Sequence, residues 1–255
     1  MAGGQGTRLR PLTSATNKHL LPIYDKPLIY YPLTTLILAG IREIALVTSP
    51  SEITNFVNLL GNGAQLGIEI NYIPQERSEG IAQGLILARE FINGEKCCLI
   101  LGDNLFHGIG LGRQLSGFRN IEGANIFGYE VSKPQEYGVV ELDESGKPVA
   151  LEEKPENPRS NLAIPGIYFY DENAVIYAES LTPSKRGELE ITDLNRIYLN
   201  KNMLAITQLS QGTAWLDTGT FEGLYDAASY IRVMEQRQNS RIGDPFEAAR
   251  IQGWI

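Results

Sequence analysis

The sequence predicts an α/β fold: a mostly parallel, mixed sheet flanked by helices, with an inserted antiparallel hairpin region. Three observations carry this reading. Through the first half of the chain, helical and strand-like periods alternate with short connections, the rhythm of β-α-β units. The apolar run Cys97-Cys98-Leu99-Ile100-Leu101 stops at Gly102-Asp103, the pattern of a strand buried on both faces. Two alternating segments flank Asp143-Glu144-Ser145-Gly146, a hairpin signal.

The elements follow in order. Residues 27–39 read as a helix, with Pro27 tolerated in the first turn and Gly40 as its stop. A short apolar strand covers 43–48, a helix 52–60 with Gly61 behind it, and an alternating strand 68–73. Residues 81–92 are helical in pattern, and the buried strand 97–101 follows. The second half begins with the hairpin strands 137–142 and 148–153. It continues with a strand at 164–170, a helix at 190–199, a strand at 204–209 and a last helix at 221–238. No repeat, low-complexity stretch or long linker divides the chain, so 1–255 reads as one domain with halves at 1–131 and 132–255.

Composition narrows the function classes. The chain has 255 residues, of which 22 are Lys or Arg and 30 are Asp or Glu, a formal charge of −8. That balance argues against a nucleic-acid partner bound through a broad basic face, yet leaves room for a small phosphorylated ligand held by a few cations and a metal. No apolar run reaches the roughly 20 residues of a membrane-spanning helix, and nothing reads as a secretory signal. The adjacent Cys97 and Cys98 read as buried thiols of a reduced, cytoplasmic protein. With His19 and His107 as its only histidines, the chain offers little for a His/Cys zinc site.

Several motifs can carry chemistry, each with a plainer alternative. Gly3-Gly4-Gln5-Gly6-Thr7-Arg8 can bring backbone N–H groups onto an anion, or be a surface turn. It lacks the Gly-Lys-Ser/Thr of a Walker loop and the third glycine of the dinucleotide fingerprint. Arg8 and Lys18 are placed to hold polyphosphate oxygens, or are solvated cations. Asp103 and Asp217 each follow an apolar strand-like segment, where ligands of open α/β sheets gather. Two such carboxylates suit Mg²⁺, and each equally suits a turn or cap. Asp217-Thr218-Gly219 spells the aspartic-protease triplet, but one copy in an α/β pattern does not make the required pair. Glu152-Glu153-Lys154-Pro155 reads as a salt-bridged surface whose Glu153 and Lys154 point to opposite faces unless the chain turns. Arg186 precedes an acidic helix entry and is a further phosphate-ligand candidate, and Gln75 is placed to read a nucleobase edge.

Taken together these motifs resemble the sugar-nucleotide pyrophosphorylases, and within them the glucose-1-phosphate thymidylyltransferase family. The resemblance runs from Ala2-Gly3-Gly4 to Gly253-Trp254-Ile255, through Lys18-His19-Leu20-Leu21-Pro22, Leu101-Gly102-Asp103-Asn104, Tyr137-Gly138-Val139-Val140, Glu152-Glu153-Lys154-Pro155, Arg186-Gly187-Glu188-Leu189-Glu190 and Trp215-Leu216-Asp217-Thr218-Gly219. It implies a Rossmann-like enzyme joining dTTP and glucose 1-phosphate into dTDP-glucose, with Mg²⁺ as cofactor. On it, 1–131 is the nucleotide-binding half and 132–255 the sugar-phosphate half. Gly3, Gly6 and Thr7 wrap the triphosphate, Arg8 steadies the departing pyrophosphate and Lys18 balances charge. Gln75 and the Gly80 backbone hold the thymine. Asn104, Gly138, Glu153 and the Ile164 backbone line the sugar pocket, Lys154 with Arg186 holds the sugar phosphate, and Asp103 and Asp217 carry Mg²⁺.

The resemblance also implies a homo-oligomer. Family members carry a further apolar strand before Ala-Gly-Gly, so the first strand is expected to be missing from the chain as given, and longer members continue past Ile255. The alternatives are a UTP-using or other sugar-1-phosphate nucleotidyltransferase, or an inactive nucleotide-binding fragment.

Overall fold

The computed structural model describes residues 1–4 and 6–255; Gln5 of the glycine-rich turn lies outside the described residues. After short 3₁₀ turns, β1 (Pro22–Ile23) and β2 (Lys26–Pro27) pair antiparallel, Ile23 opposite Lys26. Pro27 therefore belongs to this ladder. Helix α1 (Tyr30–Leu38) starts later than its pattern suggested, with Pro32 in the first turn, where a missing N–H costs nothing. Next come β3 (Glu43–Thr48), α2 (Ile53–Leu60) and β4 (Glu69–Pro74). The helical pattern at 81–92 is broken at Ala88 into α3 (Gln83–Leu87) and α4 (Arg89–Ile92). Then follow β5 (Cys97–Ile100), β6 (Asn104–His107), α5 (Leu111–Ser116), β7 (Ala124–Glu130), β8 (Gly138–Leu142), β9 (Pro148–Glu153), β10 (Leu162–Ala163) and β11 (Ile167–Tyr170). The chain ends with α6 (Ala174–Glu179), α7 (Ile191–Asn200), β12 (Leu204–Gln208), β13 (Ala214–Asp217), α8 (Phe221–Gln238) and α9 (Pro245–Ile251).

Two compact units form, each from separated stretches: Met1–Arg77, Leu101–Gly117 and Gly212–Ile255 in the first, Ser78–Ile100 and Phe118–Gln211 in the second. In the first unit, α2 supplies the crossover that lets β3 and β4 run parallel. The antiparallel pair β6–β13 sets Asn104 opposite Asp217. The start of the chain is fastened to this unit, with Ala2 N–H donating to Val47 O at 2.7 Å and Gly102 N–H to Met1 O at 2.8 Å. The core under β6 is made by Ile23, Leu28, Tyr31, Leu105, Ala227, Ile231 and Ile242, with Leu216 packed against it.

In the second unit, β5, β11, β7, β10, β8 and β9 lie side by side in that order, and β12 joins on β7. The β7–β12 pairing is parallel and the others antiparallel. The fold is thus mixed α/β, and among the described residues antiparallel pairs outnumber the parallel β3–β4 and β7–β12, so the sheet is less parallel than the alternating pattern of the first half suggested. The predicted hairpin is β8–β9, with Gly138 opposite Glu153. Phe118, Phe127 and Phe169 cluster at ring separations of 5.4–6.1 Å, and the thiols of Cys97 and Cys98 in β5 are free. Among the described residues no helix is long and apolar enough to cross a membrane.

Candidate active site

The glycine-rich turn is shaped by what must approach it. Gly6 adopts the left-handed conformation (φ 59°, ψ 31°) and opens the 3₁₀ turn Thr7–Leu9. Leu9 is fully buried and anchors that turn, which leaves Thr7 and Arg8 exposed. Gln75 is 3% exposed and lies so close to Gly3 that a β-carbon there would fall 1.8 Å from its Oε1. Asn17 caps the 3₁₀ turn Lys18–Leu20, its Oδ1 accepting from His19 N–H at 2.9 Å, while its Nδ2 donates to Ala2 O at 3.4 Å. That double tie seats Lys18 beside the glycines: a β-carbon at Gly4 would lie 3.4 Å from Lys18 Nζ.

The carboxylates meet this loop. Asp103 Oδ2 is ion-paired with Lys18 Nζ, and Asp103 Oδ1 accepts from Asn104 Nδ2 at 3.2 Å. The carbonyl of Asp103 takes both the N–H and the hydroxyl of Thr218, at 3.1 and 2.8 Å. Asp217 closes β13, its Oδ1 accepting from Gly219 N–H at 2.9 Å. The Arg8 guanidinium lies there too, since a β-carbon on Gly219 would meet Arg8 Nη2 at 2.8 Å and Asp217 Oδ1 at 3.1 Å. Burial pushes the Asp103 carboxyl up, but the charge and hydrogen bond of Lys18 overrule it and hold the group well below the usual carboxylate range. Asp217 is raised, first by burial and then by the charge of Asp103.

The chemistry of the donor set decides whether it suits a cation. Among the described residues, no group of three or more His, Cys, Asp and Glu converges, so they offer no all-protein metal cage. Mg²⁺ asks for less, commonly one or two carboxylates completed by substrate phosphates and water. Asp103 and Asp217 both present carboxylate oxygens at the ends of β-segments beside the glycine turn, and hard oxygen donors are the type Mg²⁺ takes. The residues fit.

The second unit gathers a different set. Glu153, opposite Gly138, accepts from the Thr192 hydroxyl at 2.6 Å. Ile164 N–H donates to Gly138 O at 2.8 Å, and Lys154 N–H to Tyr137 O at 3.0 Å. Lys154 has φ 45°, a left-handed position for a residue with a β-carbon, so the chain turns where the strand ends. Arg186 is held by Glu190, with Nη2 at 2.8 and 2.9 Å from its two oxygens, and reaches Glu188 at 3.3 Å and Glu153 at 3.7 Å. Gly80 packs against the backbone of Leu189.

The first unit therefore brings together Gly3, Gly6, Thr7, Arg8, Lys18, Gln75, Asp103, Asn104 and Asp217, and the second holds Gly80, Gly138, Glu153, Lys154, Ile164 and Arg186. Sequence reasoning passed over Asn17, Thr192, Glu190 and the indole of Trp215. Asn17 had a readable signal, a capping residue before a turn. Thr192 and Trp215 are defined by partners distant in the chain, Glu153 and Asn104, whereas Glu190 pairs with Arg186 four residues before it.

A model of the nucleotidyl transferase family matches residues 1–233. The glucose-1-phosphate thymidylyltransferase of Mycobacterium tuberculosis (strain ATCC 25618 / H37Rv) is 50% identical over 255 residues, which is 100% of this chain and 88% of that protein. The enzyme of the same name from Xanthomonas campestris pv. campestris (strain B100) is 51% identical over 256 residues, 100% of this chain and 87% of its own. Among solved structures, a Bacillus anthracis protein assigned as a glucose-1-phosphate thymidylyltransferase, in complex with a sucrose, matches with TM-score 0.83 and 37% identity over 91% of this chain and 93% of its own. A UDP-glucose pyrophosphorylase complexed with UDP-glucose matches with TM-score 0.79 and 26% identity over 91% and 96%. The glycine turn, its cations and the paired aspartates thus lie within a sequence that matches along most of its length, and the chain belongs to the nucleotidyl transferase family.

Proposed function

We propose that the protein transfers a thymidylyl group from dTTP to glucose 1-phosphate, giving dTDP-glucose and pyrophosphate by direct in-line displacement at the α-phosphorus. The observation that carries this reading is Asp103 and Asp217 beside Arg8, Lys18 and the glycine turn, in a chain half identical to enzymes of that name.

The acceptor is a phosphate oxygen already ionised at neutral pH, so the chain needs no strong general base. What opposes reaction is repulsion between two anions and charge growing on the leaving pyrophosphate. N–H groups at Gly3, Gly6 and Thr7 cradle the triphosphate, Arg8 steadies the leaving group and Lys18 balances charge near the α-phosphate. Gln75 and the Gly80 backbone read the base. Asn104, Gly138, Glu153 and the Ile164 backbone hold the sugar hydroxyls, and Lys154 with Arg186 holds its phosphate. Asp103 and Asp217 hold Mg²⁺, which when bound supplies charge neutralisation on the reacting phosphates. Two free thiols fit a cytoplasmic setting, and a homo-oligomer fits the family.

A UTP-using enzyme is the second reading, favoured by the fit to UDP-glucose pyrophosphorylase. The two nucleotides differ at the base by one methyl group, worth roughly 1–3 kcal/mol in an apolar pocket. Initial rates of pyrophosphate release with dTTP, UTP, CTP and ATP against glucose 1-phosphate decide between them, and no release with any nucleotide refutes both. Retention of configuration at a chiral α-phosphorothioate, or a trapped nucleotidyl-enzyme, refutes direct displacement.

A further inference from the structure

Three side chains in the first unit form a directed chain of hydrogen bonds. Trp215 Nε1 donates to Asn104 Oδ1 at 2.7 Å, and Asn104 Nδ2 donates to Asp103 Oδ1 at 3.2 Å. Trp215 and Asn104 are 8% and 3% exposed, so both bonds are made away from bulk water. An indole N–H can donate and cannot accept. It therefore selects one of the two orientations open to an amide, with the oxygen of Asn104 toward Trp215 and the nitrogen toward Asp103. The flipped amide would set N–H against N–H at one end and oxygen against a carboxylate oxygen at the other. The register of β6 and β13 supports the same arrangement, because Trp215 sits opposite Phe106 and Asp217 opposite Asn104.

The amide engages one oxygen of Asp103, and Lys18 engages the other. Two restraints at the two ends of a carboxylate fix its rotation about the Cβ–Cγ bond. The strand that supplies Trp215 also ends in Asp217, so one short strand sets the second carboxylate and orients the first.

We propose that Trp215 is a positioning residue, whose indole N–H orients Asp103 for a divalent cation by fixing the amide of Asn104. This rests on the reading of Asp103 as a metal carboxylate. Partners that orient a ligand in this way typically change metal affinity by about 10–100-fold when removed.

The test is Mn²⁺ binding to the full chain, followed by electron paramagnetic resonance without sugar phosphate or nucleotide, so that the readout reports the protein's own ligands. Trp215→Phe keeps an aromatic ring and deletes the donor; Trp215→His returns a ring N–H. The expected result is Mn²⁺ bound about tenfold more weakly by W215F, with partial recovery in W215H and unchanged circular dichroism in both. Asp103→Ala serves as the reference for loss of the carboxylate. If D103A weakens Mn²⁺ binding and W215F matches wild type, the positioning role is overturned while the metal reading stands. If D103A itself binds as wild type does, Asp103 is no ligand and both are overturned. Equal weakening in W215F and W215H also overturns the role of the N–H, since loss of the indole's bulk alone then accounts for it.

Discussion

Lys26 offers the sharpest test of how the loop carrying Lys18 is anchored. Its side chain is 5% exposed, and its ammonium is paired with Asp25 and lies 2.9 Å from Glu235 Oε1. Because Lys26 is in β2 and Glu235 in α8, the pair joins the segment after Lys18 to the long helix. Lys26→Met keeps the aliphatic stem and removes the charge. Glu235, 12% exposed, is then left with the Ile242 N–H at 2.7 Å, and Asp25, 35% exposed, with Arg241 at 3.3 Å. Removing one partner of a buried pair costs about 3–5 kcal/mol. The donors that remain place the expected loss at the lower end, about 3 kcal/mol. Glu235→Gln in the same chain removes the stranded charge yet keeps an acceptor for Ile242, so the double variant should recover about half of that loss. Urea unfolding followed by circular dichroism measures both, with the shift read at constant slope. A single-variant loss below about 1 kcal/mol, the size of an exposed ion pair, refutes the argument. So does a double variant whose loss equals the sum of the two singles.

Three further outcomes follow from the titrating groups. Asp217 is raised by burial and by Asp103, so its ionised form works against the fold; Asp217→Asn should melt no lower than wild type without metal, yet lose Mg²⁺-dependent turnover by at least about a hundredfold, and near-normal turnover removes Asp217 from the site. Cys97 and Cys98 are half-buried rather than fully buried as the sequence suggested, yet desolvation pushes the Cys97 thiol up to about 12 and Cys98 well above its ordinary value. Both should therefore react with a thiol-exchange reagent at pH 8 much more slowly in the native protein than in urea, and equal rates refute this. Burial holds His107, bonded to Tyr230 at 2.8 Å, below its ordinary 6.5. The unfolded chain then takes up the proton first, so stability present above pH 6.5 is lost as pH falls through the folded value, and His107→Gln should flatten that part of the urea profile.

What could be read in the sequence was set by local signals. The strand 43–48, the hairpin strand 148–153 and the helix 221–238 were located to the residue because period and end signals agree there. Pro27 misled because a proline opens a helix as readily as it sits in an edge ladder, and the choice was made by Pro22 across the hairpin. Strand β7 left no clean signal: Ala124 through Phe127 are all buried, so no alternation shows. At the site, Asp103 and Asp217 stood out as carboxylates ending apolar runs. The amide between Asp103 and Trp215, and the approach of Glu153 to Arg186, are products of tertiary pairing and have no local pattern, whereas Glu188 and Glu190 are Arg186's near neighbours in the chain.

An acidic chain that binds phosphates needs its charges placed, and the site shows how. At physiological salt, exposed charges are screened beyond about 8 Å, so the formal −8 of the chain does little to a ligand in the glycine turn. On the proposed reading, what such a ligand meets is Arg8 and Lys18, beside the left-handed Gly6. Lys18 is itself held by Asp103, which keeps an otherwise mobile cation at one position. His19 next to it is buried, and burial followed by Lys18 holds its ring well below the usual value, so it stays neutral. A protonated ring there would compete with Lys18 for Asp103. The neutral imidazole instead bonds to Asn17, through Nδ1 at 2.7 Å, and so serves the turn that presents Lys18. Net charge therefore speaks against a broad nucleic-acid face and is silent on a small phosphorylated substrate. For that substrate the deciding quantity is the arrangement of two cations and two carboxylates within one folded unit.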